Sequence, residues 1–231
     1  MDSDIKSQLE RAKELKEELD SCAQEDLKNH TISDKTRNRT QEILVKIRSI
    51  LDQVIYSFFE KEIAPNLTED EKKKAIVYFP LVTKEENFNS VLGRAMIRNL
   101  ETTHPNVFSF LKSVQPYNED YKWLGELSKY ANEKHIRLSP QKRIEVKRTT
   151  VRSKGGSVSW GSGVTFGKGV SIMGAPVDPV TQNIVPTPGL ESKTEIWVSF
   201  VFKDSKVNAL WLCNKSIEGS EKIINDFYSL F

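Results

Sequence analysis

Residues 39–63 read RTQEILVKIRSILDQVIYSFFEKEI, and this stretch decides the fold. It contains neither Gly nor Pro, and a helix turns by about 100° per residue. Its apolar positions are Ile43, Leu44, Ile47, Ile50, Leu51, Val54, Ile55, Phe58 and Phe59. On a helix they cover more than half of the circumference, whereas an ordinary surface helix shows a narrower apolar stripe. We therefore predict that this helix is the buried centre of a helical bundle.

A preceding helix over residues 4–29 is predicted from a narrower apolar stripe. Its apolar residues recur every three or four positions, at Ile5, Leu9, Ala12, Leu15, Leu19, Cys22 and Leu27. Residues 30–37 form a short link in which Ser33 or Thr36 can cap the central helix. Helices joined by a short link pack antiparallel, so we expect this helix to lie along the central one.

Shorter segments follow the central helix. Thr68 is predicted to open a capping box and a short helix. Residues 75–82, AIVYFPLV, are β-prone, but Pro80 restricts them to an edge strand or an extended crossing. Further helices are predicted over residues 84–98, from Pro105 onward, and over residues 120–137.

After residue 140 the apolar period changes from 3.6 to 2, which is typical of strands. Residues 143–152 alternate, and residues 157–174 contain three six-residue repeats, SVSWGS, GVTFGK and GVSIMG. The repeats predict three short strands linked by Gly turns, or a single coil of a β-helix. Residues 195–203 and 207–213 predict a hairpin.

The last predicted element is an amphipathic helix over residues 216–230. The whole pattern predicts an α+β protein with an N-terminal helical bundle, a C-terminal antiparallel β meander and a closing helix. We expect a helical domain over residues 1–140 and a β-rich part over residues 141–231. Its closing helix is expected to pack back on the bundle.

The composition predicts a cytoplasmic protein that does not enter a membrane. No apolar run approaches the ~18 residues of a membrane span, and the charged N-terminus lacks a secretory signal. The only cysteines, Cys22 and Cys213, are far apart in the chain and are expected as reduced thiols. Because the three histidines are scattered and no cysteines are closely spaced, we expect no metal site. No nucleotide-binding loop is found, so we expect no cofactor.

Positive charge is concentrated between residues 133 and 154. The chain has a net charge of +2, whereas this stretch has eight Lys and Arg against two Glu. Such a stripe can face nucleic acid phosphates or an acidic protein, with RNA as one candidate partner. The alternative is a solvated strand face, which the lack of interleaved aromatic residues favours. The candidate nucleic-acid-binding residues are Lys142, Arg143, Lys147, Arg148 and Arg152.

Two polar residues, Arg48 and Asp52, interrupt the apolar arc of the central helix one turn apart. His135 lies on the apolar line of the predicted helix over residues 120–137, with Asn132 on an adjoining face. If this line packs on the central helix, His135 can meet Asp52, and the carboxylate would fix its tautomer. Such a pair can act as a general acid or base. It can equally be a buried polar cross-link that holds two helices in register.

Four short motifs follow one another along the helical half. They are Arg48-Ser49-x-Leu51-Asp52, Phe79-Pro80, Gln115-Pro116-Tyr117 and Asn132-x-Lys134-His135. They resemble the pattern R-S-x-L-D-H, F-P, Q-P-Y and N-x-x-K-H-R of a diffuse group of uncharacterised bacterial proteins with a β-rich tail and a terminal helix. The resemblance covers roughly residues 40–231 and departs at Gln53, where the group often has His, and at Ile136, where it usually has Arg. It implies a fold and a set of polar residues, without an activity.

Residues 98–104, RNLETTH, place Arg98 six residues before His104, with the polar Asn99 after the arginine. In this spacing the helical half is similar to the HEPN domains of toxin and defence ribonucleases. The resemblance implies that Arg98 and His104 act on the RNA 2′-OH and the scissile phosphate, without a metal and across a homodimer. The alternative is that His104-Pro105 is simply the start of a helix.

These patterns lead to three hypotheses about function. The first is a bacterial cytoplasmic binding or scaffold module with a buried polar centre. The second is a metal-independent HEPN-like ribonuclease whose basic stretch holds RNA. The third is a role in phage defence or stress signalling through a partner protein. The predicted polar centre consists of Arg48, Asp52, Asn132 and His135.

Overall fold

The computed structural model describes residues 2–29, 31–133, 141–161, 163–202, 204–205 and 207–230. At residues 27, 28, 141–148 and 193–199 it describes the backbone only. The α-helices are α1 (Ser3–Asn29), α2 (Asp34–Phe58), α3 (Glu69–Lys74), α4 (Phe88–Arg94), α5 (Leu100–Thr103), α6 (Pro105–Ser113), α7 (Lys122–Asn132) and α8 (Ala209–Tyr228). The strands are β1 (Gln141–Ser153), β2 (Gly156–Gly161), β3 (Ser171–Ile172), β4 (Ala175–Pro176) and β5 (Glu191–Phe202). The predicted α+β class, with a helical N-terminal half, an antiparallel sheet and a closing helix, is therefore confirmed.

Helix α2 is the buried centre that its apolar pattern predicts. The apolar residues of its wide arc from Ile43 to Phe58 are all completely buried. Helices α1, α7 and α8 all pack against α2. Contacts between Gln8 and Gln53 at one end, and between Glu18 and Arg39 at the other, show that α1 runs antiparallel to α2. A single turn of π-helix, Phe59–Ile63, extends α2 at its C-terminal end.

The link between α1 and α2 is held by one buried carboxylate. Ser33 is the N-cap of α2 and accepts a hydrogen bond from the Thr36 amide. Asp26, only 3% exposed, accepts hydrogen bonds from the Ser33 amide and from the Thr36 hydroxyl. Of the two predicted caps, Ser33 is therefore the one that is used, and Thr36 binds the carboxylate behind it.

Helix α8 begins at Ala209, before the predicted start at residue 216, and the predicted second strand of the hairpin, residues 207–213, is therefore wrong. Asn208 caps the helix by accepting a hydrogen bond from the Trp211 amide at 3.0 Å. Ala209, Leu212 and Cys213 are then buried at helical spacing. A short apolar run fits both periods, so the contacts with the bundle decide between strand and helix.

The turn before α8 is fastened to the end of α7. The ring of Tyr130 stacks on Phe202 with centroids 3.6 Å apart. Its hydroxyl is 2.9 Å from Asp204 Oδ1 and 2.6 Å from Ser205 Oγ, and Lys129 pairs with the same aspartate. These contacts fix where the chain re-enters the bundle after β5.

One other predicted helix is shorter than expected, and one ambiguous segment takes one of its two predicted forms. The predicted helix over residues 84–98 is only α4, because Met96 and Asn99 adopt left-handed backbone conformations with φ of 56° and 58°. Residues 75–82 form no strand and cross the bundle as irregular backbone, which is one of the two predicted alternatives.

The chain divides into two compact units. The helical unit consists of Met1–Gln141 with Phe202–Phe231, and the β unit is Lys142–Val201. Helix α8 therefore belongs to the helical unit. No helix in the described parts of the chain is both long and apolar enough to cross a lipid bilayer.

The β unit contains a three-stranded sheet in the order β2-β1-β5 and a separate two-stranded pair of β3 and β4. Strands β1 and β2 are antiparallel. Of the three sequence repeats, the first forms β2 and the third contributes β3, whereas GVTFGK forms no strand. The small core consists of Val151, Ala175, Val177 and Ile184.

We predict opposite effects of the same substitution at two helical glycines. A Cβ atom at Gly219 in α8 would lie 2.9 Å from Cη2 of the buried Trp123 of α7, so Gly219→Ala should lower the free energy of unfolding by about 1–3 kcal/mol. At Gly125 the nearest atom to such a Cβ is Pro116 Cβ at 3.5 Å. Gly125→Ala should therefore be neutral or stabilising by up to about 1 kcal/mol, through helix propensity. Urea unfolding measures both, and equal effects would contradict the α7–α8 packing.

Candidate functional site

A polar centre lies where residues 75–82 cross helix α2. Arg48 Nη2 is 2.9 Å from Asp52 Oδ1, an ion pair between positions one turn apart. The same carboxylate oxygen accepts a hydrogen bond from the Phe79 amide at 2.8 Å. Arg48 Nη2 donates to the Phe79 carbonyl at 3.2 Å. The ion pair therefore binds both backbone polar groups of one buried residue.

Gln115 binds the same segment from the other side. Its side chain is completely buried, and its Oε1 accepts a hydrogen bond from the Val82 amide at 3.0 Å. Its Nε2 donates to the carbonyls of Pro80 at 2.8 Å and of Leu111 at 2.7 Å. Three side chains therefore pair four backbone groups of this segment, namely the amide and carbonyl of Phe79, the carbonyl of Pro80 and the amide of Val82. Pro80 has no N–H group that would need a partner. We call Arg48, Asp52 and Gln115 the crossing clamp.

The electrostatics of the crossing clamp are dominated by burial. Burial raises the pKa of the Asp52 carboxyl, and the Arg48 guanidinium and the Phe79 amide, which lower it, offset only part of this effect. Burial likewise lowers the pKa of Arg48. The side chains are 14% and 22% exposed, so the charges are largely removed from water. Such a pair contributes little net stability, but removing one partner leaves the other unpaired.

The chemistry open to this centre is limited by its hydrogen bonds. Asp52 Oδ1 and both polar groups of the Gln115 amide are already bound to backbone. A general acid or base must instead reach a proton on the substrate. The described contacts of this centre therefore hold the backbone of residues 79–82, while the predicted cross-link between Asp52 and His135 stays a prediction.

Three of the four resemblance motifs meet at the crossing clamp. Arg48 and Asp52 belong to the first motif, Phe79-Pro80 is the second, and Gln115 begins the third. The third motif contains Gln115, but the polar centre predicted from the sequence does not include it. The available signal was a glutamine between the apolar Val114 and Pro116, a position where an unpaired amide would be costly.

The fourth motif does not join this centre. Asn132 is exposed near the end of α7, so its predicted place in a buried centre is wrong. The Gln41 amide donates to the Tyr130 carbonyl at 3.0 Å. This bond places the end of α7 beside Gln41, which lies about 16 Å before Asp52 along α2. His135 lies outside the described residues, so its predicted contact with Asp52 stays a prediction.

The structure gives Arg98 and His104 separate acidic neighbours. Arg98 is exposed, with Nη1 4.0 Å from Glu71 Oε1. His104 Nε2 is 3.6 Å from Glu62 Oε2, and its Nδ1 is 3.0 Å from the Thr103 hydroxyl. His104 precedes Pro105 at the start of α6, as the helix-start interpretation predicts. Arg98 also lines a pocket of about 290 Å³ at the α4–α5 connection, to which His104 does not contribute.

Within the described residues, the basic stretch contributes β1 and the turn that follows it. Four of the five candidate residues, Lys142, Arg143, Lys147 and Arg148, belong to the part of β1 whose side chains are outside the description. Arg152 and Lys154 are exposed and line an open cleft of about 550 Å³ with Gly189 and Glu191. Within the described residues, no group of three or more His, Cys, Asp or Glu is placed to hold a metal ion.

Comparison with known proteins adds no family assignment. No protein-family model matches the chain, and neither a curated protein nor a solved structure does. The similarity to the bacterial group and to HEPN domains therefore stays a prediction from short motifs.

We predict that the crossing clamp stabilises the fold cooperatively. Asp52→Ala leaves the Phe79 amide and Arg48 unpaired and should lower the free energy of unfolding by about 1–3 kcal/mol. Asp52→Asn should cost less, because its remaining carbonyl oxygen can still accept from Phe79. Gln115→Ala should cost a similar 1–3 kcal/mol, roughly, since it leaves buried groups of the same segment unpaired.

A double-mutant cycle between Asp52→Ala and Gln115→Ala, measured by urea unfolding, tests the shared segment. We expect the double mutant to cost about 0.5 kcal/mol or more less than the sum, because both changes release the same backbone. Gln53→Ala is the control, since Gln53 follows Asp52 on α2 but bonds to Gln8 instead. Additive losses would show that the two side chains act independently, and negligible losses would show that the crossing segment does not depend on them.

Proposed function

We propose that this protein is a binding module in which the helical unit is a scaffold and the β unit binds nucleic acid phosphates. The observation that carries the proposal is the segregation of charge. The β unit, Lys142–Val201, has eight Lys and Arg against four Asp and Glu, a net charge of +4. The remaining residues have a net charge of −2.

Ion pairs neutralise some cations of the helical unit, whereas others, such as Lys73 and Lys74, are exposed without an ion pair among the described residues. On the helical unit, Arg11, Lys16 and Arg37 each form an ion pair with an acidic residue three or four positions away. In the β unit, neither Arg152 nor Lys154 pairs with any described acidic residue. Unpaired exposed cations supply the attraction for phosphates that a neutralised surface lacks.

The scaffold role is supported by the crossing clamp. Its three side chains are bound to backbone, and they hold an irregular segment against the central helix. A rigid helical unit of this kind can present the β unit to a partner.

The proposal predicts nucleic acid binding that depends on salt and on the β unit. Wild type should shift labelled RNA or DNA in a gel, and its affinity should fall steeply between 50 and 200 mM salt, about tenfold or more. Arg152→Glu with Lys154→Glu should weaken binding about tenfold or more. The matched control is Lys73→Glu with Lys74→Glu, which makes the same charge change on exposed residues of α3. Absent or salt-insensitive binding would overturn the proposal.

A metal-independent HEPN-like ribonuclease is the second candidate function. It is supported by the spacing of Arg98 and His104 and by the exposure of Arg98 beside its pocket. Under this hypothesis, Arg98→Ala should abolish RNA cleavage in EDTA while the melting temperature stays unchanged. Arg94→Ala is the control, because Arg94 is also exposed and is four residues away. No cleavage by wild type, or equal cleavage by both variants, would exclude this candidate.

A further inference from the structure

Strand β2 lies at one edge of the three-stranded sheet, since the strand order is β2-β1-β5. It pairs with β1 through six positions, along its whole length. Its residues are exposed except for Trp160, which is partly buried. Outside this ladder, the one backbone hydrogen bond of β2 within the described residues is donated by the Val164 amide to the Gly161 carbonyl, at 3.1 Å. We call the side of Gly156–Gly161 that faces away from β1 the β2 edge.

The β2 edge lacks the features that usually prevent two edge strands from pairing. Natural edge strands carry charged residues or proline, or they are covered by a helix or a loop. The sequence of β2 is GSVSWG, without a charged residue or a proline. The β unit has a net charge of +4, but β2 contributes none of it. Two copies can therefore meet at this edge without like charges lying opposite each other.

One apolar residue of β2 lacks a neighbour on the side of the β2 edge. Val158 lies opposite Val151 of β1, and paired residues of antiparallel strands share a face of the sheet. Val151 is completely buried, whereas Val158 is 44% exposed. The strand order explains the difference, because β1 lies between two strands and β2 has no second neighbour within the described sheet. A further strand beside β2 would cover Val158.

The sequence of β2 can supply that further strand. Two-fold symmetry pairs a strand with its own copy in antiparallel orientation, and with the axis at Ser159 each Val158 lies opposite the partner's Trp160. Pairs of an aromatic and a β-branched residue stabilise neighbouring strands, and here the pair forms twice. An axis at Val158 would instead place each Trp160 opposite the partner's Gly156, which has no side chain to pack. The axis at Ser159 is therefore favoured.

We infer that the β2 edge binds the β2 edge of a second copy of this chain, in antiparallel register about Ser159. The two three-stranded sheets then form one continuous sheet in the order β5-β1-β2-β2-β1-β5. Because both copies use the same edge, the contact closes on itself and does not propagate into a fibre. This contact is independent of the proposed nucleic acid binding.

The substitution Ser159→Cys tests both the edge and its register. It is made in a Cys22→Ser background, which leaves the buried Cys213 as the only other thiol. At the two-fold axis the two Cα atoms at position 159 are about 4.5–5.5 Å apart, which is within the range that a disulfide bridges. We expect mild oxidation to convert this variant into a covalent dimer.

Ser157→Cys in the same background is the matched control, because Ser157 is also an exposed serine of β2. In the inferred register its two Cα atoms are about 14 Å apart, which is too far for a disulfide. We expect it to form covalent dimers at least about tenfold more slowly than Ser159→Cys.

Sedimentation of the wild type makes the result independent of the cysteine variants. We expect a monomer–dimer equilibrium in the micromolar range. Ser159→Lys places two ammonium groups opposite each other and should raise the dissociation constant about fivefold or more. Ser171→Lys makes the same change on an exposed serine of β3 and should leave the dissociation constant unchanged.

Three outcomes would overturn the inference. They are a wild type that stays monomeric up to about 1 mM, equal oxidation of the two cysteine variants, and equal effects of the two lysine variants. None of them changes the expected gel shift or its dependence on Arg152 and Lys154, so the proposed function is tested separately.

Discussion

An irregular piece of backbone has to cross the buried central helix without leaving its polar groups unpaired, and the helical unit depends on how this is achieved. Regular secondary structure would pair those groups with one another, but residues 75–82 are irregular backbone and Pro80 lacks an N–H group. Asp52 and Arg48 therefore bind Phe79, and Gln115 binds Pro80 and Val82. A buried backbone group without a partner would cost the free energy of a lost hydrogen bond.

This use of charged residues also bears on function. An arginine and an aspartate within the apolar arc of a helix suggest a catalytic role, because perturbed pKa values are common in active sites. The pKa values of structural ion pairs are perturbed as well, so the contacts of each oxygen and nitrogen have to distinguish a structural pair from a catalytic one. Here the contacts of Arg48 Nη2 and Asp52 Oδ1 are with each other and with the backbone of Phe79.

The sequence located most of the helical unit and only part of the candidate site. The wide arc of α2, the Ser33 cap, the Thr68 capping box and the start of α6 at Pro105 all follow from local rules and are confirmed. The predicted partners of Asp52 rest on helix periodicity alone. Periodicity predicts which face of a helix is buried, but not which residues of a neighbouring helix lie opposite that face. Asn132 is exposed at the far end of α7.

By itself, the sequence determined that a long apolar helix is surrounded by amphipathic ones and that strands follow residue 140, because hydrophobic periodicity is a local property. It also determined the separation of charge between the two parts. Only the tertiary structure decided that residues 209–213 begin a helix, since the short run VNALWLC suits either period until α8 packs on α2. The structure likewise decided that Asp52 and Gln115, 63 positions apart, bind one segment. Contacts between residues so distant in the chain depend on how several helices pack together, and no local pattern encodes that.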